Sequence, residues 1–119
     1  MILSALLRIQ GLFNSSMPGL SIQEQQLIVL IADAQRTGNA LNMKQIVFSQ
    51  GESATTVRRR VARLEKLGYV QKKSKENDGR SFVYTVADCV LQRLLKLTDP
   101  LKDILKTIDV KHVKQQKSI

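Results

Sequence analysis

A mainly helical chain with one small β-hairpin is the fold that this sequence predicts, on three observations. Apolar residues recur at helical spacing along most of its 119 residues, the segments on either side of Asn77-Asp78-Gly79 switch to alternation, and aromatic residues make up only 4% with no Trp. A core so poor in aromatics must be filled by Leu, Ile and Val, which suits packed helices. The hydrophobic fraction of 43% is enough for a core, and the length is that of one domain, 1–119.

The first segment, Met1 to Phe13, sets Ile2, Leu6, Ile9 and Phe13 one helical turn apart, with Leu3, Leu7 and Leu12 widening the stripe. Asn14-Ser15-Ser16-Met17-Pro18-Gly19 should break it. Arg8 interrupts this stretch, and it is too short to span a bilayer, so it reads as a packing helix with no membrane role.

Ser21-Ile22-Gln23-Glu24 has the form of a capping box, in which the Ser hydroxyl accepts from the Glu amide and the Glu carboxylate from the Ser amide. The helix it starts carries Leu27, Ile28, Leu30, Ile31 and Ala34 and should stop near Thr37-Gly38. Leu41 can add a short bridging strand. Asn42 caps a second, short helix with Met43, Ile46 and Val47; Ser49-Gln50-Gly51-Glu52 turns the chain; and Ser53 caps a third, which points Val57, Val61 and Leu64 inward and ends at Gly68.

Tyr69 to Lys75 and Ser81 to Val86 then read as strands, with Phe82, Tyr84 and Val86 on one face, joined by the turn-forming Glu76-Asn77-Asp78-Gly79-Arg80. A helix from about Asp88 to Leu97 follows, and Asp99-Pro100 should cap and open a last one bearing Leu101, Ile104, Leu105 and Ile108, with a polar, frayed tail after Val113. Three helices and a hairpin in this order make a winged helix-turn-helix core over about residues 20–87. Terminal helices at 1–14 and 88–114 flank it, and their apolar stripes exceed what one small core needs. Leu6, Ile9, Phe13, Leu101, Ile104, Leu105 and Ile108 are therefore expected at a homodimer interface.

The net charge of +9 favours a polyanionic partner, and its position favours double-stranded DNA. Arg58, Arg59, Arg60, Arg63, Lys66, Lys72, Lys73, Lys75 and Arg80 all fall on the third helix and the hairpin, against Glu65, Glu76 and Asp78. With the apolar stripe inward, the helix turns Thr55, Arg58, Arg59 and Ala62 outward. Thr55, Thr56, Arg58 and Arg59 are the candidates for base contacts in a major groove, since hydroxyls donate or accept and Arg pairs with guanine edges. Ser53, Arg60, Arg63, Lys72, Lys73 and Lys75 are the candidates for phosphate. At the hairpin tip Arg80 can enter the minor groove, with Asp78 orienting its guanidinium.

The run Ser53-Ala54-Thr55-Thr56-Val57-Arg58-Arg59-Arg60-Val61-Ala62-Arg63-Leu64-Glu65-Lys66-Leu67-Gly68-Tyr69-Val70, followed by Asp78-Gly79-Arg80, resembles the MarR family of winged-helix regulators. The resemblance covers about Ser21 to Leu97. It implies a recognition helix in the major groove, a wing Arg in the minor groove, dimerisation through the terminal helices, and a role in transcription.

Other function classes find little support. No nucleophile–base order, paired carboxylate site, phosphate loop or metal cluster is visible, so neither an enzyme nor a cofactor is expected, and no residue points to a small-molecule effector. Cys89, the single cysteine, excludes an intrachain disulfide and fits a reducing cytoplasm; a buried or inert thiol is a plainer reading than a redox sensor. His112 reads as a surface residue. The alternatives to a sequence-specific regulator are a protein-interaction winged helix in replication or transcription machinery and a sequence-tolerant architectural DNA binder.

Overall fold

Side chains at helix ends set the boundaries of this fold. The computed structural model describes residues 2–75 and 78–117, and the side chains of 2–75 and 81–108. Its elements are α1 (Ile2–Ser16), α2 (Ile22–Arg36), α3 (Met43–Gln50), α4 (Ala54–Lys66), β1 (Val70–Lys75), β2 (Asp78–Val86), α5 (Asp88–Leu95) and α6 (Thr98–Lys117). They form two compact units, residues 21–91 and residues 1–20 with 92–119, and the boundary falls inside α5.

In the unit of residues 21–91, the Ser21 hydroxyl accepts from the Glu24 amide at 3.1 Å and the Glu24 carboxylate accepts from the Ser21 amide at 2.8 Å. Asn42 and Gln45 make the same reciprocal pair at 2.8 and 2.9 Å, so α3 has a full capping box where only the Asn was expected. Ser53 opens α4 by accepting from the Thr56 amide at 3.2 Å. Between α3 and α4 the chain reverses through Gly51 at φ 66, a left-handed conformation costly to residues with a Cβ.

α4 ends in a Schellman motif. The Tyr69 amide donates to the Leu64 carbonyl at 2.9 Å and the Gly68 amide to the Glu65 carbonyl at 3.1 Å, with Gly68 at φ 85. Two orphan carbonyls are satisfied, and the chain is directed straight into β1. α2 closes in the same manner at Asn39 and Gly38, as the sequence indicates.

The core of this unit joins Leu27, Ile28 and Ile31 of α2, Ile46 of α3, and Val57, Val61 and Leu64 of α4 to Val70, Tyr84, Val86, Ala87 and Val90, all buried. At about 1.5–3 kcal/mol for each large aliphatic side chain taken from water, this cluster is what holds α4 in place. The hairpin is antiparallel, with Val70 opposite Val86, Lys72 opposite Tyr84 and Ser74 opposite Phe82, and its register shifts between Ser74 and Lys75. Leu41 adds the expected bridge, accepting from the Tyr84 amide at 2.9 Å. The Gln35 side chain accepts from the Val86 amide at 2.7 Å and ties α2 to β2.

Phe82 departs from expectation. It was expected on the packed face with Tyr84 and Val86, yet it is 37% exposed. The buried stripe ends at Tyr84, and the Phe82 ring instead lies beneath the Lys72 ammonium, 4.4 Å from ring centre to Nζ.

In the other unit, α1 packs along α6, burying Ala5, Met17, Leu97 and Ile104. α1 runs on to Ser16, past the expected break at Asn14, and the Met17 amide still donates to the Phe13 carbonyl at 2.8 Å. Pro18 is what stops it, because a proline disfavours helical backbone at the residue before. α6 begins at Thr98, not after an Asp99 cap; the Leu101 amide donates to the Leu97 carbonyl at 2.9 Å. Pro100 thus stays in the first turn, where an amide has no partner to lose. The helix continues to Lys117 through the segment expected to fray, in keeping with the helix propensity of Lys and Gln.

No helix among the described residues is long and apolar enough to cross a membrane. Nor does any group of His, Cys, Asp and Glu among them suit a metal ion. Cys89 is exposed, so of the two plainer readings, a buried or an inert thiol, burial does not hold.

Candidate nucleic-acid interface

With Val57, Val61 and Leu64 fully buried, the turn of α4 leaves Thr55, Arg58, Arg59 and Ala62 exposed on one side. Arg58 and Arg59 have no acidic partner within ion-pair distance among the described residues, so their guanidinium groups are available to an outside acceptor.

The remaining predicted residues of α4 behave differently. Thr56 is half-buried and its hydroxyl accepts from the Ser53 hydroxyl at 2.8 Å, so Ser53 and Thr56 build the start of the helix together. Arg60 lies 2.8 Å from the Glu52 carboxylate, tying α4 back to the turn before it. Arg63, half-exposed, is ion-paired to Glu24 of α2.

Glu24 itself is buried. Burial pushes its carboxyl upward, but hydrogen bonds from Arg63 and from the Ser21 backbone and side chain, with the Arg63 charge, outweigh this and hold it below its ordinary value.

The wing supplies the rest of the charge. Lys72, Lys73 and Lys75 are all exposed; alternation puts Lys72 on the face of Phe82 and Lys73 on the other, beside Val83. Asp78 and Arg80 belong to β2, but their side chains lie outside the described residues. Tyr84 links wing and α4 electrostatically. Burial and the negative charge of Glu65 raise its hydroxyl above the ordinary value, with Arg58 opposing.

Two contributors were not foreseen. Exposed Lys44 on α3 converges with Lys72 and Lys75 on an open groove of about 740 Å³, also lined by Asn42, Ser74 and Phe82. A lysine in the first turn of the short helix was visible, but nothing local marks its proximity to the hairpin. Glu24 was seen only as a capping residue, and its partner stands 39 positions away.

The residues expected at a dimer interface divide by exposure. Leu6 and Leu105 are 55% and 50% exposed, Ile9, Phe13, Leu101 and Ile108 are half-buried, and Ile104, at 2%, is buried inside its own chain and has no surface left to offer. Leu3 and Leu7, which only widened the stripe in the sequence reading, are the most exposed apolar side chains of α1.

Neither protein-family models nor curated protein sequences give a match. Solved structures do. Streptococcus pneumoniae FabT, in a structure with DNA, is 20% identical over 98% of this chain and 84% of its own, with a TM-score of 0.69. Staphylococcus aureus MepR, also solved with DNA, is 11% identical over 98% of this chain and 96% of its own, again at 0.69. For Lactococcus lactis ZitR the figures are 14% identity and 0.66, and this chain covers 83% of itself but only 64% of ZitR. At these identities the likeness is one of fold: this chain shares the winged-helix fold of these three proteins.

Proposed function

We propose that this protein is a transcriptional regulator of the cytoplasm that binds double-stranded DNA through residues 21–91, as a homodimer. The observation that carries this reading is the exposure of Arg58 and Arg59, without acidic partners among the described residues, on the outward face of a helix whose other face is locked into the core. A helix so presented fits the major groove, and Thr55, Arg58 and Arg59 are the groups that meet base edges. Lys72, Lys73 and Lys75 neutralise phosphates beside it, and Arg80, oriented by Asp78, enters the minor groove. The likeness in fold to two proteins solved with DNA supports the same reading.

Self-association follows from the exposed leucines of α1. Leu3, Leu6 and Leu7, with Leu105 on α6, leave an apolar surface that a second copy would cover, and a two-fold pair would present two recognition helices to grooves about 34 Å apart.

The test is selection of bound sequences from a pool of random duplexes by the whole chain. The reading expects an enriched, pseudo-palindromic sequence. Recovery of duplexes with no shared sequence would make the protein an architectural binder, and retention of no duplex at low salt would favour an acidic protein as partner.

A further inference from the structure

We propose that Glu24 is a positioning residue for the DNA-reading helix, and that Arg63 serves as its anchor on α4 and not as a phosphate contact. The inference rests on the DNA-binding reading above and assigns to both residues a part that neither was expected to play.

The geometry divides the two oxygens of one buried carboxylate between two tasks. Oε1 accepts from the Ser21 amide and so completes the start of α2, while Oε2 holds Nη1 of Arg63. The Glu24 side chain is 8% exposed and that of Arg63 50%, so the pair sits where the core meets the surface. A buried carboxylate is tolerated only when its lone pairs are satisfied, and withdrawal of Arg63 toward a phosphate would leave Oε2 without its charged partner.

The consequence for α4 is directional. Val57, Val61 and Leu64 bury one face, but apolar contacts are not directional and allow a helix to rotate or slide a little. A charged hydrogen bond on its flank fixes that rotation. Arg63 follows Arg59 by four residues, one turn along the same side, so fixing Arg63 fixes the direction in which Arg59 leaves the helix. Arg58 and Arg59 can discriminate bases only if α4 is held to a fraction of an ångström.

A phosphate contact and a positioning contact have opposite signatures. A phosphate contact adds affinity for every duplex and about one unit of salt slope. A positioning contact leaves non-specific affinity unchanged and supports the preference for the right sequence.

The experiment uses the full chain and two 30-base-pair duplexes (~100 Å at about 3.4 Å per pair), one carrying the sequence selected from the random pool and one a shuffled version of it. Wild type, Glu24→Gln and Arg63→Ala are compared across a salt series, with thermal melts of each variant. Glu24→Gln is the discriminating change, because the glutamine oxygen still accepts from the Ser21 amide while the charge that binds Arg63 is gone.

The expected result is that both variants lose about tenfold in preference for the selected duplex while affinity for the shuffled one and the salt slope stay as in wild type. An equal loss on both duplexes with a shallower slope in Arg63→Ala would make Arg63 a phosphate contact and overturn the proposal. So would tighter binding of both duplexes by Glu24→Gln, which would mean that Glu24 merely masks a DNA-binding charge. Lowered melting with unchanged preference would reduce the pair to a stabilising contact and also overturn it. Failure of the wild type to bind either duplex would overturn the DNA-binding reading itself, a result distinct from these.

Discussion

Arg60 of α4 lies 2.8 Å from Glu52, whereas its neighbours Arg58 and Arg59 have no such partner among the described residues. One run of arginines is thus split by helix geometry into a member held by its own chain and two presented outward. Alanine at Arg58 or Arg59 should weaken binding to a selected duplex by about 1–3 kcal/mol and relax base preference, with melting unchanged. Alanine at Arg60 should cost less than about 1 kcal/mol in stability, since the pair is partly exposed, and should leave base preference as in wild type. Binding isotherms and thermal melts of the three variants check this.

Stability should depend on acid through Glu24. Its carboxyl in the folded chain is held below the ordinary value of 4.5, so folding favours the ionised form. The contribution is complete above the unfolded value and is lost as pH falls through the folded one. Against Glu24→Gln, the wild type should be more stable at neutral pH by about 1–2 kcal/mol, a figure kept small because Arg63 is half in solvent. That advantage should shrink below pH 4.5, and denaturant titrations of both proteins at neutral and acid pH measure it. A gap that did not change with pH would show that the charge on Glu24 contributes nothing.

Gly68 should tolerate substitution poorly. It stands at φ 85 in the turn from α4 into β1, where no atom of the described residues outside the turn lies within 4 Å of an added Cβ, so the cost is one of backbone conformation. Gly68→Ala should destabilise by about 1 kcal/mol and Gly68→Asn by less, because Asn enters the left-handed region more readily. Urea unfolding separates the two variants.

The leucines of α1 provide a test of self-association. Leu3 and Leu7 are 75% and 70% exposed, so charges there should not disturb the fold of the single chain. Leu3→Lys with Leu7→Lys should convert a dimer to monomer in sedimentation at micromolar concentration, with helix content retained by circular dichroism. A wild type that is already monomeric would rule out dimerisation through α1.

Most of the winged unit was legible because its information is local. Ser21 with Glu24, Asn42, Ser53, Gly38 and Gly68 each mark a helix end through contacts within a few residues, and all mark the ends observed. Leu41, a single residue, sufficed to indicate the bridge to Tyr84 beside the hairpin. What escaped depends on contacts distant in sequence. Alternation placed Phe82 on the packed face, but how far along the hairpin the core extends is set by elements elsewhere in the chain. Arg63 looked free because its partner lies on another helix, and Ile104 looked available because its burial against its own unit leaves no trace in spacing. Asp99 was read as a cap by residue type, while the backbone bond from Leu101 to Leu97 starts α6 earlier.

The proposed function stands or falls on base reading by Arg58 and Arg59 of α4. The most direct measurement is the ratio of affinities for a selected duplex and its shuffled counterpart, taken for wild type and for Arg59→Ala at one salt concentration. A wild-type ratio of about 10³ or more is expected, falling at least tenfold in the variant, with affinity for the shuffled duplex nearly unchanged. An equal loss on both duplexes, or a wild-type ratio near one, would contradict it.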